Sequence, residues 1–373
     1  MLPALKTDGL RLADVLASSL SAIRGEPNRF GLGSVTNAVV LLVDGLGAEM
    51  LKARAGHART MSGALTARSV IESGFPTTTA AALASLTTGV APGEHGLVGY
   101  SVLDPAHDRI VNQLSGWDDR LDPATWQRVP TLFEAATAEG IDAVVIGPER
   151  YLDSGFTQAV LRGARYVPAA TIADRMESAS ALIRQPGKHL AYVYVPELDQ
   201  AAHAHGADSD EWVRALESTD AALAPLTRSL GARDGLLLTA DHGLLDIPQH
   251  GHVLLEGPLL DGVRFIAGEP RCLQLHLEPG TDAAAVAARW HEAEGHRAWV
   301  ATRAEAVAAG WFGSVHPDVL PRIGDVIVAA RKAVAYYDGR LANPHGRSMV
   351  GQHGSWSSAE LRVPLLRFGA FSA

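Results

Sequence analysis

Residues 10 to 24 place Leu10, Leu12, Val15, Leu16, Leu20 and Ile23 at mainly helical spacing, which predicts an amphipathic helix lying on a core. At residue 38 the pattern changes. Ala38 to Val43 is a continuous apolar, Val-rich run, and such a run reads as a strand buried on both faces. Similar short runs occur at 142–147, 191–195 and 235–240. Helical patterns fall between them at 130–139, 170–184 and 211–230. An alanine-rich run follows Pro76-Thr77-Thr78-Thr79 and predicts a helix that stops at Gly89. Strands alternating with helices from 38 to 243 predict an α/β fold built on a doubly wound, mostly parallel sheet.

Two stretches depart from this alternation. Residues 93 to 117, with Asp104-Pro105 as a turn, predict a loop or hairpin. After Pro248 the pattern becomes a small mixed set: runs at 263–266, 273–277 and 298–300 around a helix at 282–294. Residues 327–330 and 334–337 are expected to form an antiparallel pair. Residues 249–345 are therefore expected to be an inserted α+β cap, with 1–248 and 346–373 forming the core. Core character resumes with the strand that starts at Val363.

Composition narrows the class. The chain has 373 residues, with 47% hydrophobic and 20% charged positions, as in an ordinary globular protein. Cys272 is the single cysteine, so there is no intrachain disulfide and no Cys-based zinc cluster. The formal charge of −9 argues against binding nucleic-acid duplexes or anionic membranes. It is compatible with a small anionic substrate if metals make the site locally positive. Asp8, Arg11, Asp14 and Arg24 interrupt the apolar runs of the first thirty residues, so no signal peptide is read there. No apolar stretch reaches the length of about 18 residues that suggests a transmembrane helix. A cytoplasmic protein is the expectation; the oligomeric state is left open.

The candidate chemistry lies at the strand ends, where open α/β sheets bind ligands. The run 235–240 ends in Asp241-His242-Gly243, and the run 38–43 ends in Asp44-Gly45. Asp and His are both metal-ligand types. Alone, either motif is equally a polar turn or a helix cap. After the run 191–195, Asp199 and His203 are four residues apart, so on a helix they face the same way and could share an ion. His205 would point elsewhere, to solvent or to a supporting position. The threonines 77–79 open a helix, where a hydroxyl can be a cap or a nucleophile in a field that favours anions. His353, flanked by glycines, precedes the last core strand. His345, in Pro344-His345-Gly346, reads as a solvated turn.

Taken in order, Asp44, Thr79, Asp199-x-x-x-His203, Asp241-His242-Gly243 and His353-Gly354 resemble the alkaline phosphatase superfamily. More closely, they resemble its type I phosphodiesterase/nucleotide pyrophosphatase branch. The resemblance runs over nearly the whole chain, with the cap at the usual place. It implies an alkaline phosphatase-like core and two divalent metal ions, zinc first and manganese as the alternative. Asp44, Thr79, Asp241 and His242 would hold one ion; Asp199, His203 and His353 would hold the other. The implied activity is hydrolysis of phosphodiester or nucleotide pyrophosphate bonds in a small-molecule substrate, through a phospho-threonine intermediate. Thr79 matches the family's nucleophile by its ten-residue distance to Gly89, with Thr78 as the runner-up. The family often has a phosphate-binding asparagine three residues after the nucleophile, where this chain has Ala82. Asn112 and Tyr100 are the candidate substitutes.

Within the superfamily, a phosphomonoesterase, a phosphonate hydrolase and a phosphomutase remain alternatives. A sulfatase ranks last, because Cys272 falls in the cap. A metal-stabilised binding protein without turnover is the non-enzymatic alternative.

Overall fold

The computed structural model describes residues 2–6, 8–66, 68–341 and 345–372. Its centre is a seven-stranded sheet in the order Val70–Glu72, Arg362–Gly369, Asp234–Thr239, Asn37–Val43, His189–Val195, Asp142–Gly147, Arg165–Pro168. The last five strands in that order run parallel. Arg362–Gly369 runs antiparallel to its neighbours on both sides. Every residue of Asn37–Val43 is buried, as its unbroken apolar run requires, because helices cover both faces of a parallel sheet. The helices Ala13–Arg24, Ile172–Ile183 and Asp210–Ser229 lie between or beside these strands with their apolar stripes inward. Ser101–Asp104 and Arg109–Asn112 form the expected hairpin.

Register sets the site. Val43 is paired with Val195, and Leu42 with Thr239, so three adjacent parallel strands end level with one another. Asp44, the Pro196–Asp199 segment and Asp241-His242 are therefore delivered to one edge. Val70–Glu72 points the same way and leads through Ser73 to the threonines. Arg362–Gly369 runs oppositely, so the residues before it, including His353, arrive at that edge as well.

The region after Pro248 builds smaller sheets. One has four strands in the order Val263–Glu269, Cys272–Leu277, Val326–Ala330, Ala298–Thr302, all antiparallel. Its two faces go to different cores. Val326, Val328 and Ala330 join a second apolar cluster with Trp290 and Tyr336, while Ile327 and Ala329 join the main core. Alternation of this kind is the period-2 signature of a strand with both faces covered.

The expected antiparallel pairing of 327–330 with 334–337 does not form. Val326–Ala330 pairs inside the four-stranded sheet, and Ala335–Asp338 pairs in parallel with His252–Leu255. The cause is Arg271. Its fully buried guanidinium donates to the carbonyls of Lys332 and Val334 at 2.9 and 2.8 Å, and to Glu360 at 2.8 Å. Those carbonyls are held by the cation and are lost to a hairpin ladder. Pro344 and the side chain of His345 lie outside the described residues. Among the described residues, no helix is long and apolar enough to cross a membrane.

Candidate metal centre and nucleophile

The two loops that carry Asp44 and Asp241-His242 meet through glycines. Gly45 has φ +73°, a left-handed conformation, and a Cβ there would lie 3.0 Å from the Cβ of Asp199. A Cβ on Gly243 would lie 2.0 Å from the carbonyl oxygen of Ala359 and 2.7 Å from the Cα of Gly47. Gly243→Ala is therefore expected to push the two loops apart. Overpacking against backbone costs roughly 1–3 kcal/mol, so thermal melting should shift down by several degrees, and bound divalent metal should fall below the wild-type content.

Within this frame the structure brings the sequence candidates together as two clusters. Asp44, Asp241 and His242 form one, fully buried, and Asp199, His203 and His353 form the other. In the first, His242 Nε2 lies 3.6 Å from Asp44 Oδ1 and 3.4 Å from Asp241 Oδ2. Asp241 Oδ1 accepts from the amides of Gly45 and His242, which fixes the carboxylate's orientation. In the second, Asp199 and His203 sit one turn apart on the helix Glu197–His205, and His203 Nε2 is 3.3 Å from Asp199 Oδ2. The clusters share a wall: the rings of His242 and His353 stack with centroids 3.7 Å apart. His205, on the same helix, is exposed.

The protonation pattern fits cations. His203, His353 and His242 each direct Nδ1 at a backbone carbonyl, of Gly351, Thr77 and Gly243 respectively. A carbonyl only accepts, so each Nδ1 bears a proton and each Nε2 is the ring atom turned to the site. His203 Nε2 and His353 Nε2 face each other at 3.3 Å, a spacing that two ligands of one cation can have. Among the described residues, Asp44 Oδ1, Asp199 Oδ1 and Asp241 Oδ2 are buried without a hydrogen-bond partner. Burial, then the charges of Asp241 and Asp199, push the Asp44 carboxyl well above the usual carboxylate range, against the opposing Tyr194 hydrogen bond. Burial also raises Asp199, against the pull of His203 and His242. Burial, then His242 and His203, depress His353 well below the ordinary histidine value. Buried carboxylates and imidazole Nε2 atoms form a donor set suited to zinc or manganese. The carbonyls behind the imidazoles supply the outer support that ligating histidines commonly have.

Thr79 opens the helix Thr79–Thr88, and its Oγ1 lies 3.2 Å from His242 Nε2. Thr78, in extended conformation, is the cap residue. Among the described residues, no backbone acceptor pairs with the N–H groups of Thr79, Ala80 and Ala81. They are therefore free to meet an anion. Asn112 Oδ1 accepts from Leu114 and Ser115 at 2.8 and 3.0 Å, in its own turn. Tyr100 is exposed. Neither lines the narrow cavity of about 100 Å3 that opens beside Thr79, whose wall includes Leu83, Val145, Tyr151, Phe156, Tyr166 and Tyr194.

Tyr194 was not singled out from the sequence. Its hydroxyl donates to Asp44 Oδ2, so one side chain is both cavity wall and support for a candidate ligand. The available signal was Tyr192-x-Tyr194 inside an otherwise apolar buried strand, since a buried phenol usually has a partner.

Comparison with known proteins gives the family and the fold. The family model described as Type I phosphodiesterase / nucleotide pyrophosphatase matches residues 38–356. Venom phosphodiesterase 2 of Crotalus adamanteus is 25% identical over 181 residues, 46% of this chain but only 22% of that enzyme. Phosphopentomutase of Anaeromyxobacter sp. (strain K) is 30% identical over 127 residues, 34% of this chain and 31% of that one. Phosphonoacetate hydrolase of Sinorhizobium meliloti 1021 superposes with a TM-score of 0.69 at 18% identity, covering 90% of this chain and 91% of that chain. Murine ectonucleotide pyrophosphatase / phosphodiesterase 5 superposes with a TM-score of 0.68 at 15% identity, covering 89% and 88%. The two structures share the fold.

Proposed function

We propose, from the premise that this chain belongs to the type I phosphodiesterase / nucleotide pyrophosphatase family, that it hydrolyses phosphodiester or nucleotide pyrophosphate bonds of a small-molecule substrate with Thr79 as nucleophile. One observation carries the reading. Three unpaired buried carboxylate oxygens and three imidazole Nε2 atoms converge in two clusters beside the Thr79 hydroxyl. Asp44, Asp241, His242 and Thr79 would hold one divalent ion, and Asp199, His203 and His353 a second.

When bound, the ions supply the positive charge that makes a threonine hydroxyl nucleophilic and neutralises the transferring group. The remaining work belongs to the chain. The helix Thr79–Thr88 aims Oγ1 and its free first-turn N–H groups at the phosphorus. The Thr79 Oγ1–P bond forms as the P–O bond to the leaving group breaks, and the proton lost from Oγ1 ends on the released alcohol or phosphate. Water then attacks phosphorus, the Oγ1–P bond breaks, and a phosphate monoester leaves. Donation by the first-turn amides takes the place of the asparagine that Ala82 lacks.

The cavity bears on the substrate. It is lined mainly by apolar and aromatic groups and, among the described residues, by no Arg or Lys. The cap arginines are engaged elsewhere. Arg322 donates to the carbonyls of Gly96 and Trp126 at 3.0 and 2.9 Å, with its guanidinium 3.6 Å from the Trp126 ring centroid. Arg331 faces Trp299. A second ester substituent suits such a wall, and the additional charge of a monoester dianion does not. The expected result is a kcat/KM for a nitrophenyl nucleotide diester at least about tenfold above that for nitrophenyl phosphate, a difference of about 1.4 kcal/mol in transition-state stabilisation. Side-by-side kinetics at fixed metal and pH check it; a preference for the monoester would refute the diester assignment. Product analysis separates hydrolysis from phosphonate cleavage and from phosphoryl return in a mutase.

A further inference from the structure

The four-stranded sheet after Pro248 is joined to the ligand-bearing loops by one buried ion pair that the reaction above does not use. Arg271 sits in the turn between Val263–Glu269 and Cys272–Leu277. Glu360 sits in the short helix Ser358–Leu361 that leads into the core strand Arg362–Gly369. Both side chains are fully buried. The pair is bidentate: Arg271 Nε donates to Glu360 Oε1 and Nη2 to Oε2, each at 2.8 Å. The same carboxylate accepts from the Ser355 amide at 2.9 Å and from the Ser357 hydroxyl. Arg271 Nη1 is engaged by the carbonyls of Lys332 and Val334.

From Glu360 two short paths lead to the candidate ligands. Its backbone carbonyl accepts at 2.9 Å from the amide of Gly243, the residue after His242. Ser355, held by the carboxylate, follows His353 by two residues, and its carbonyl accepts from Thr77 Oγ1 at 2.8 Å. The Thr77 carbonyl in turn accepts from His353 Nδ1 at 2.8 Å. Residues 353–360 therefore touch both clusters and the turn that leads to Thr79. The ion pair ties this segment to the sheet beside it.

Stability alone is a weak account of the pair. Desolvating two charges costs about as much as their attraction returns, and apolar residues of similar volume often serve as well. What a guanidinium fork on a carboxylate adds is direction, because two parallel N–H···O bonds set distance and orientation together. A metal centre needs that direction. Its ligands come from separate segments and must meet at distances held to within about 0.2 Å.

We propose that Arg271 and Glu360 are positioning residues for the metal centre, whose ion pair holds the His353 segment and the Asp241-His242-Gly243 loop at the spacing that binds the ions. The proposal rests on the two clusters being metal sites, as in the reading above. Both residues act through the loops and touch neither ion nor substrate.

The test is titration of the metal-free full chain with zinc in competition with a chelating indicator, with melting of the metal-free protein measured alongside. Arg271→Met alone strands the Glu360 charge, so the deciding variant combines Arg271→Met with Glu360→Gln. It leaves no charge at the pair, and the glutamine keeps an acceptor for the Ser355 amide. Its Kd for zinc is expected to rise at least about tenfold, the usual effect of losing outer support at a metal site. The metal-free protein should melt within about 3 °C of wild type. Arg271→Lys keeps the charge and loses the fork; its Kd should lie between the two, at least about threefold above wild type. A purely structural pair gives the reverse: metal-free melting falls and the zinc Kd of the double variant stays within about threefold of wild type. That result would overturn the proposal, as would a double variant unchanged in both measurements. If the double variant does not fold, Arg271→Lys decides, and a Kd equal to wild type overturns the proposal. Wild type is titrated in parallel. If it binds no zinc, the metal reading falls and the positioning role with it. If it binds zinc and the double variant binds equally well, the positioning role falls alone.

Discussion

Thr79→Ala is expected to reduce turnover at least about 10³-fold while leaving the fold intact, because it removes the atom that forms the bond to phosphorus. The hydroxyl's one close polar contact is His242 Nε2 at 3.2 Å, so little packing is lost. Melting should stay close to wild type. Thr79→Ser keeps an oxygen on the same helix turn and should retain activity within about a hundredfold, with the loss reflecting the looser rotamer of serine. Thr78→Ala provides the control of register. It leaves Thr79 in place, so its loss should be far smaller. Near-normal rates in Thr79→Ala with an inactive Thr78→Ala would move the nucleophile back by one residue.

The second large effect is expected on removing metal. Exhaustive chelation should abolish turnover and lower the melting temperature together, because the proposed ligands come from separate strand ends that an ion ties only in the folded state. Two ions at about a hundred times their Kd would contribute about 5 kcal/mol, corresponding to a melting shift on the order of 10 °C. The direction follows from the buried groups. Burial raises Asp44 and Asp199, so their ionised forms are disfavoured where no cation neutralises them. Elemental analysis of protein purified without chelator should find close to two divalent ions per chain. Zinc or manganese should restore both activity and melting. Full activity without bound metal would contradict the reading, and so would a melting temperature that chelation leaves unchanged.

Much of the architecture was legible because the chain announces it locally. A buried parallel strand is a continuous apolar run, and its ligand-bearing end is the first polar residue after it. Asp44 and Asp241-His242 could be picked out on that basis, and Asp199 with His203 by helical spacing. Contacts that join distant segments left no such trace. Tyr194 with Asp44 is a pairing that only the folded chain creates. The expected hairpin at 327–337 failed for the same reason. Local alternation favoured it, but Arg271 and Glu360, 89 residues apart, formed a buried ion pair whose cation also took the turn's carbonyls. Asn112 and Tyr100 were sought as side-chain donors near the nucleophile, whereas the structure presents free backbone amides there. Backbone donors carry no residue signature beyond the helix start itself.

The central claim is that the phosphoryl group passes through Thr79, and its most direct test is the stereochemical course at phosphorus. A chiral phosphorothioate diester hydrolysed in isotopically labelled water reports the number of displacements. Each in-line displacement inverts the centre, so attack by Thr79 followed by attack of water restores the original configuration. Retention is the predicted result. Inversion would mean that water attacks the substrate directly, and would contradict a covalent role for Thr79 while leaving the two metal clusters in place.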